Sequence, residues 1–212
     1  MFELAWLMLM GTAHSGVDAP DYRLELLDRV ERETHRLLES GKPEQALEHI
    51  QTFRKEVTDE PRIAYEESLV LRHLGRTQEA FKLLETTLAK DNTLAAAWYD
   101  LGELQLMDDK LETAKSSFQH AADLTAEHPQ GWAGPYRLAE VAGFQNNPAD
   151  FEQHLEEALR RGFSMSRTIQ GDPRWTGFMQ QEALAMILIR LATVYGEESV
   201  LESLLPTPQE KP

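Results

Sequence analysis

The sequence predicts an all-α chain: an α-α superhelix, a solenoid of about four helix hairpins, closed by C-terminal capping helices. Three observations predict it. Ala46, Ala80 and Ala114 stand 34 residues apart, and Ile50, Leu84 and Phe118 follow them by four each time. Gly41 and Gly75 precede the first two alanines by five, with Asp109 in that slot for the third. Between the breaks, apolar residues recur every three or four positions, and no segment sustains the period of two that a half-buried strand requires. A fixed period of this length marks one supersecondary unit stacked on copies of itself.

Each element follows from that spacing. Leu24, Leu27, Val30, Thr34, Leu37 and Leu38 trace one helix face up to Ser40-Gly41. Pro43 opens a second helix, where its missing N–H costs nothing, and Ala46, Leu47, Ile50 and Phe53 form its apolar face. Pro61 restarts the pattern through Ala64, Tyr65, Ser68, Leu71 and Leu74, and Gly75 suits a left-handed helix stop. Thr77 is the expected N-cap of the partner helix, with Ala80, Phe81, Leu84 and Leu88 facing inward. Leu94–Met107 and Leu111–Leu124 form the third hairpin around an Asp108-Asp109 turn. In the fourth, Gly131, Gly134 and Pro135 place the helix start near Tyr136, and Pro148 falls where the repeated alanine belongs. Phe151, Leu155, Ala158 and Leu159 line its second helix.

Residues 95–121 resemble a tetratricopeptide repeat of the bacterial type. That family carries Trp-x2-Leu-Gly-x2-Tyr, then Ala, Phe and Ala, then Pro. Trp98, Leu101, Gly102, Ala114, Phe118 and Ala121 stand at the matching offsets, while Gln105 replaces the usual aromatic and the proline comes late, at Pro129. Residues 27–60 and 61–94 match more weakly, and Trp132 follows Trp98 by 34 residues. The stretch GFSMSRTIQGDPRWTGF resembles the end-of-repeat capping element of such proteins, with Asp172-Pro173-Arg174-Trp175 as its turn. The expected division is an apolar N-terminal segment and linker (1–20), a repeat array (21–162; units about 27–60, 61–94, 95–128 and 129–162), a capping segment (163–205) and a disordered tail (206–212).

Composition narrows the function. The net charge is −15, spread along the chain without a basic cluster, and such a surface repels nucleic-acid backbones. The absence of cysteine removes disulfides, thiolate nucleophiles and cysteine-ligated zinc. Leu4–Met10 is too short to span a bilayer. It reads either as the core of a signal peptide within residues 1–16 or as an apolar helix covering the first repeat. Glu3, where a leader carries positive charge, favours the second reading and a cytoplasmic location; a cleaved leader would make the protein periplasmic or exported.

No catalytic pattern stands out. The seven histidines form no HExxH array, and the chain lacks a phosphate loop, a GxGxxG turn and a GxSxG elbow. The expectation is a protein with no catalysis, no cofactor and no metal site. In the tetratricopeptide family the first helix of each hairpin lines the concave surface that receives peptides. The resemblance therefore places Arg62, Tyr65, Leu69, Arg72 and His73, then Tyr99 and Glu103, then Arg137, in a partner-binding groove, with Glu31, His35, Leu38, Leu106 and Glu140 beside them. Two readings of Arg62 and Arg72 stand: they meet an acidic group on an extended or helical partner, or they pair with local glutamates such as Glu66 and Glu103. Tyr65, Leu69, Ala96, Asp100 and Gly134 replace the lysines and asparagines of the family's carboxylate clamp, which argues against chaperone tails. Met186, Ile187, Leu188 and Ile189 read either as the inner side of the cap or as a docking or homodimer face.

The expected function is a protein–protein interaction scaffold whose partner is a protein or peptide. The alternatives are an exported envelope-assembly or secretion accessory factor and an oligomerising structural subunit.

Overall fold

The computed structural model describes residues 22–57, 59–128, 130–168 and 172–204, and all regular structure among them is helical. The expectations for residues 1–20 and for the tail at 206–212 lie outside these residues. Four antiparallel hairpins come first: α1 (Tyr22–Glu39) with α2 (Pro43–Glu56), α3 (Pro61–His73) with α4 (Thr77–Lys90), α5 (Ala95–Met107) with α6 (Leu111–Leu124), and α7 (Ala133–Phe144) with α8 (Pro148–Arg160). Four shorter or terminal helices follow: α9 (Met165–Thr168), α10 (Pro173–Met179), α11 (Glu182–Tyr195) and α12 (Glu198–Leu204). Among the described residues no helix is long and apolar enough to cross a membrane.

The turn inside each hairpin is the same device. Gly41, Gly75, Asp109 and Asn146 adopt left-handed backbone with φ of 68°, 71°, 57° and 51°. The next amide then reaches back to the carbonyl five residues earlier: Lys42 to Leu37, Arg76 to Leu71, Lys110 to Gln105 and Asn147 to Ala142, at 2.8–2.9 Å. These bonds satisfy helix-end carbonyls that would otherwise lack a donor. Asp and Asn tolerate this conformation better than other side chains, which lets two hairpins dispense with glycine.

Counted by this turn, the units are 34, 34 and 37 residues long. The fourth hairpin is therefore displaced as a whole by three residues, not only in its second helix. The extra length lies in the connection Thr125–Trp132, against Asp91–Leu94 in the preceding unit. The buried series Ala114, Phe118 and Ala121 recurs as Phe151, Leu155 and Ala158. Trp132 is thus no counterpart of Trp98: it precedes α7 and packs its ring 5.5 Å from that of Phe163.

Two further expectations change. The α7 helix starts at Ala133, ahead of Tyr136. Pro135 falls among the first-turn positions whose N–H groups have no helical acceptor. Gly134 lies so close to α6 that a Cβ there would sit 2.8 Å from the Ala122 nitrogen. Thr77 is the first helical residue of α4, not its cap, and Arg76 stands at the N-cap without a side-chain capping bond.

Packing follows the repeat. Ala46, Ala80 and Ala114 are fully buried, as are Ile50, Leu84, Phe118 and Leu155. Each of those four larger side chains contributes roughly 1.5–3 kcal/mol by burial. Phe118 needs Gly102 opposite it, where a Cβ would come within 2.6 Å of the ring. The cap covers the last hairpin with one aromatic cluster of Tyr136, Phe151, Phe163, Trp175 and Phe178. Asp172 caps α10 through the Arg174 amide at 2.9 Å, and Glu197 receives the Met165 and Ser166 amides at 2.9 and 3.0 Å. In α11, Ile187 and Leu188 are buried in this cluster. Of the four residues weighed as a docking face, only Met186 is exposed and Ile189 half-buried.

Candidate partner surface

Successive first helices, α1, α3, α5 and α7, carry corresponding positions when counted back from the left-handed turn residue. Ten residues before it stand Glu31, Tyr65, Tyr99 and Tyr136; nine before, Arg32, Glu66, Asp100 and Arg137; six before, His35, Leu69, Glu103 and Glu140. Side chains from these rows meet across neighbouring helices and form a ladder of polar contacts.

The lower rungs join α1 to α3. Arg62 donates to Asp28 at 3.2 Å and to Glu31 at 2.8 Å. His35 Nε2 lies 3.4 Å from Glu66 Oε2. Between α3 and α5, the Tyr65 hydroxyl donates to Asp100 at 2.9 Å, and Arg72 pairs with the other oxygen of the same carboxylate. Burial raises the Asp100 carboxyl, and Arg72 counters it. Burial, reinforced by Asp100, likewise pushes the Tyr65 hydroxyl up, so it stays a donor.

The upper rungs are more enclosed. Arg137 of α7 reaches back to Glu103 at 2.7 Å and to the Tyr99 hydroxyl at 3.0 Å, and pairs with Glu140 on its own helix. Against the cost of burial, Glu140, Tyr99 and Glu103 hold the guanidinium protonated beyond its ordinary range. The cap supplies the last rung. Arg174 approaches Glu140 at 3.4 Å, and Trp175 stacks on Tyr136 at 5.6 Å while donating its indole N–H to the tyrosine hydroxyl at 3.0 Å.

The residues expected in a groove therefore share one face. Arg62, Tyr65, Leu69, Arg72, Tyr99, Glu103 and Arg137 are half-buried on it, and His73 is exposed, with its Nδ1 3.0 Å from the Leu69 carbonyl. Both α3 arginines pair with carboxylates, but with partners other than those expected: Asp28 and Glu31 for Arg62, Asp100 for Arg72. Glu103 belongs to Arg137 instead. By sequence, Asp100 stands on the first helices only as a replaced clamp position, and Asp28, Tyr136 and Arg174 are not placed on this face. The pairs Arg62–Asp28 and Arg137–Glu103 are each separated by 34 residues. Opposite charges one period apart were the signal available.

At the α1–α3 end the face opens into a depression of about 240 Å³ between Leu27, Glu31, Tyr65, Glu66 and the first turn of α5. Glu66 is only 6% exposed, and burial, with Glu31 nearby, pushes its carboxyl up to about 7. Among the described residues, no group of three or more His, Asp or Glu side chains is gathered to hold a metal ion.

Hairpins repeating through one left-handed turn and closed by an aromatic cap define a tetratricopeptide-type solenoid. Solved structures agree. Pseudomonas aeruginosa pilF is 16% identical, with a TM-score of 0.62, over 87% of this chain and 90% of that one. MamA from Desulfovibrio magneticus RS-1 is 17% identical, with a TM-score of 0.56, over 84% and 92%. The TPR-like repeats of a putative kinesin light chain from Podosopora anserina are 17% identical, with a TM-score of 0.57, over 89% and 95%. At these identities the likeness speaks for the fold. No protein-family model and no curated protein matches the sequence.

Proposed function

We propose that the chain is a non-catalytic interaction scaffold that receives a peptide or protein partner on the face shared by α1, α3 and α5. The site comprises Arg62, Tyr65, Leu69, Arg72, His73, Tyr99 and Glu103, with Arg137 closing its far end. One observation carries the reading: on this face the polar and aromatic side chains are pinned by bonds between helices, yet remain partly exposed beside an open depression. Prepinned side chains lose little freedom on binding, which favours affinity. The fourth unit contributes less, because Arg174 and Trp175 of the cap already cover its tyrosine and glutamate. The chemistry of the face supports a binding role, since its arginines are held by carboxylates of neighbouring helices.

A photo-crosslinking side chain at Leu69 or Leu106, compared with one at exposed Lys82 or Glu85 on α4, tests the proposal. In cells of the source organism the first-helix positions are expected to trap a discrete partner that the α4 positions do not. Equal trapping from both faces would contradict it.

A further inference from the structure

The depression at the lower end of the face is lined by Glu31, Glu66 and Arg62, and Arg62 is paired away from Glu66. Glu66 occupies the position that Arg137 holds two units later, nine residues before the turn. The residues it faces on α1, Glu31 and His35, correspond to Tyr99 and Glu103, which Arg137 bridges on α5. A carboxylate thus stands where the upper junction has a guanidinium, and it looks onto another carboxylate. Its Oε2 is buried without a hydrogen bond, and the His35 ring that approaches it is itself half exposed. Arg62, on the same helix, is turned toward Asp28 and Glu31. On α5 the residue corresponding to Arg62 is Ala96, too short to fill the gap. The first turn of α5 forms the opposite wall, with no capping side chain and no acidic residue.

We propose that this depression receives a lysine or arginine side chain from a segment of the partner protein, its charge shared by Glu66 and Glu31. The aliphatic stem lies along Leu27 and Tyr65, which line the same space. The first-turn amides of α5, free of helical acceptors, suit the segment's own carbonyl oxygen. The charge balance favours this occupant over an acidic one: Glu31 and Glu66 line the depression, and among the described residues lining it Arg62 is the one cation, already shared between Asp28 and Glu31. The proposal rests on the first-helix face being the partner surface and names what that surface selects.

The test uses the full chain and small probes: N-acetyl-arginine methylamide and N-acetyl-lysine methylamide, with the norleucine analogue as an uncharged control. Titrated to tens of millimolar, the basic probes are expected to shift the Glu66, Ala95 and Ala96 amide resonances, with the norleucine analogue roughly tenfold weaker. Glu66→Gln keeps the shape and loses that preference; Ala96→Phe fills the space, keeps the charge and abolishes binding. Absence of shifts, equal shifts from norleucine, or an unchanged preference in Glu66→Gln would overturn the proposal. Crosslinking through Leu69 separates this outcome from failure of the wider reading. A partner trapped equally by wild type and Glu66→Gln overturns the basic-side-chain site and leaves the face intact. Loss of face-specific trapping in the wild type removes both.

Discussion

The two ends of the first-helix face are built from corresponding positions and reach opposite states. At the α5–α7 junction, Arg137 sits among Tyr99, Glu103 and Glu140, and the cap adds Arg174 and Trp175, so each charge has its counter-charge within reach. At the α1–α3 junction, Glu66 takes the place of the arginine, Ala96 leaves space beside it, and a carboxylate oxygen is buried without a donor. The hairpin is shared, so the difference lies in the side chains at corresponding positions and in the cap that closes one end. One junction spends its polar groups on stability; the other holds one in reserve.

That contrast can be broken most severely at the closed end. Arg137→Ala takes from the fully buried Glu140 its nearer counter-charge and leaves it the more distant Arg174, and a loss of about 3–5 kcal/mol in urea unfolding is expected. At the open end the sign reverses. A carboxyl raised to about 7 binds its proton more tightly folded than unfolded. Its contribution is intact below the ordinary glutamate value and is lost as the pH climbs to about 7, where the loss levels off. Glu31, Arg62, Tyr65, Asp100 and His35 are the charged or titratable groups around it among the described residues. Glu66→Gln should therefore gain stability over wild type across that window, by on the order of 2 kcal/mol at neutral pH and by little at pH near 4.

A smaller effect tests the packing under both ends. Phe151 fills, in the fourth hairpin, the slot held by Ala46, Ala80 and Ala114, and there the cap provides its surroundings. Ala114→Phe has no such room and should cost roughly 1–3 kcal/mol, read as a lowered unfolding midpoint. The smallest effect is expected from Arg62→Ala, whose pairs with Asp28 and Glu31 are exposed: under about 1 kcal/mol and shrinking with added salt. A loss as large as that of Arg137→Ala would erase the distinction between the two ends.

Much of the fold was legible because its rules are local. A glycine five residues before a small buried residue announces turn and helix together, and this held at Gly41 and Gly75 and, with Asp109 substituting, in the third unit. The fourth unit misled because Trp132 happens to stand 34 residues after Trp98, while the helices had shifted by three; Asn146, another left-handed residue, was the better marker. The candidate face was legible only as positions. That Tyr65, Tyr99 and Arg137 share it follows from the period, but their bonds join side chains about one unit apart, and rotamers decided which carboxylate each arginine found. Sequence position makes Glu66 a candidate partner for an arginine, whereas its neighbours Arg62 and Arg72 both turn to other carboxylates.

The most direct measurement is a side-chain carbon NMR titration of Glu66 in the full chain, with and without N-acetyl-arginine methylamide. The expected result is a midpoint near 7 alone, falling toward the ordinary carboxylate range when the probe is present, with Glu103 unmoved by it. An ordinary midpoint without the probe, or one that the probe leaves in place, would contradict the reading of this end as open and short of a cation.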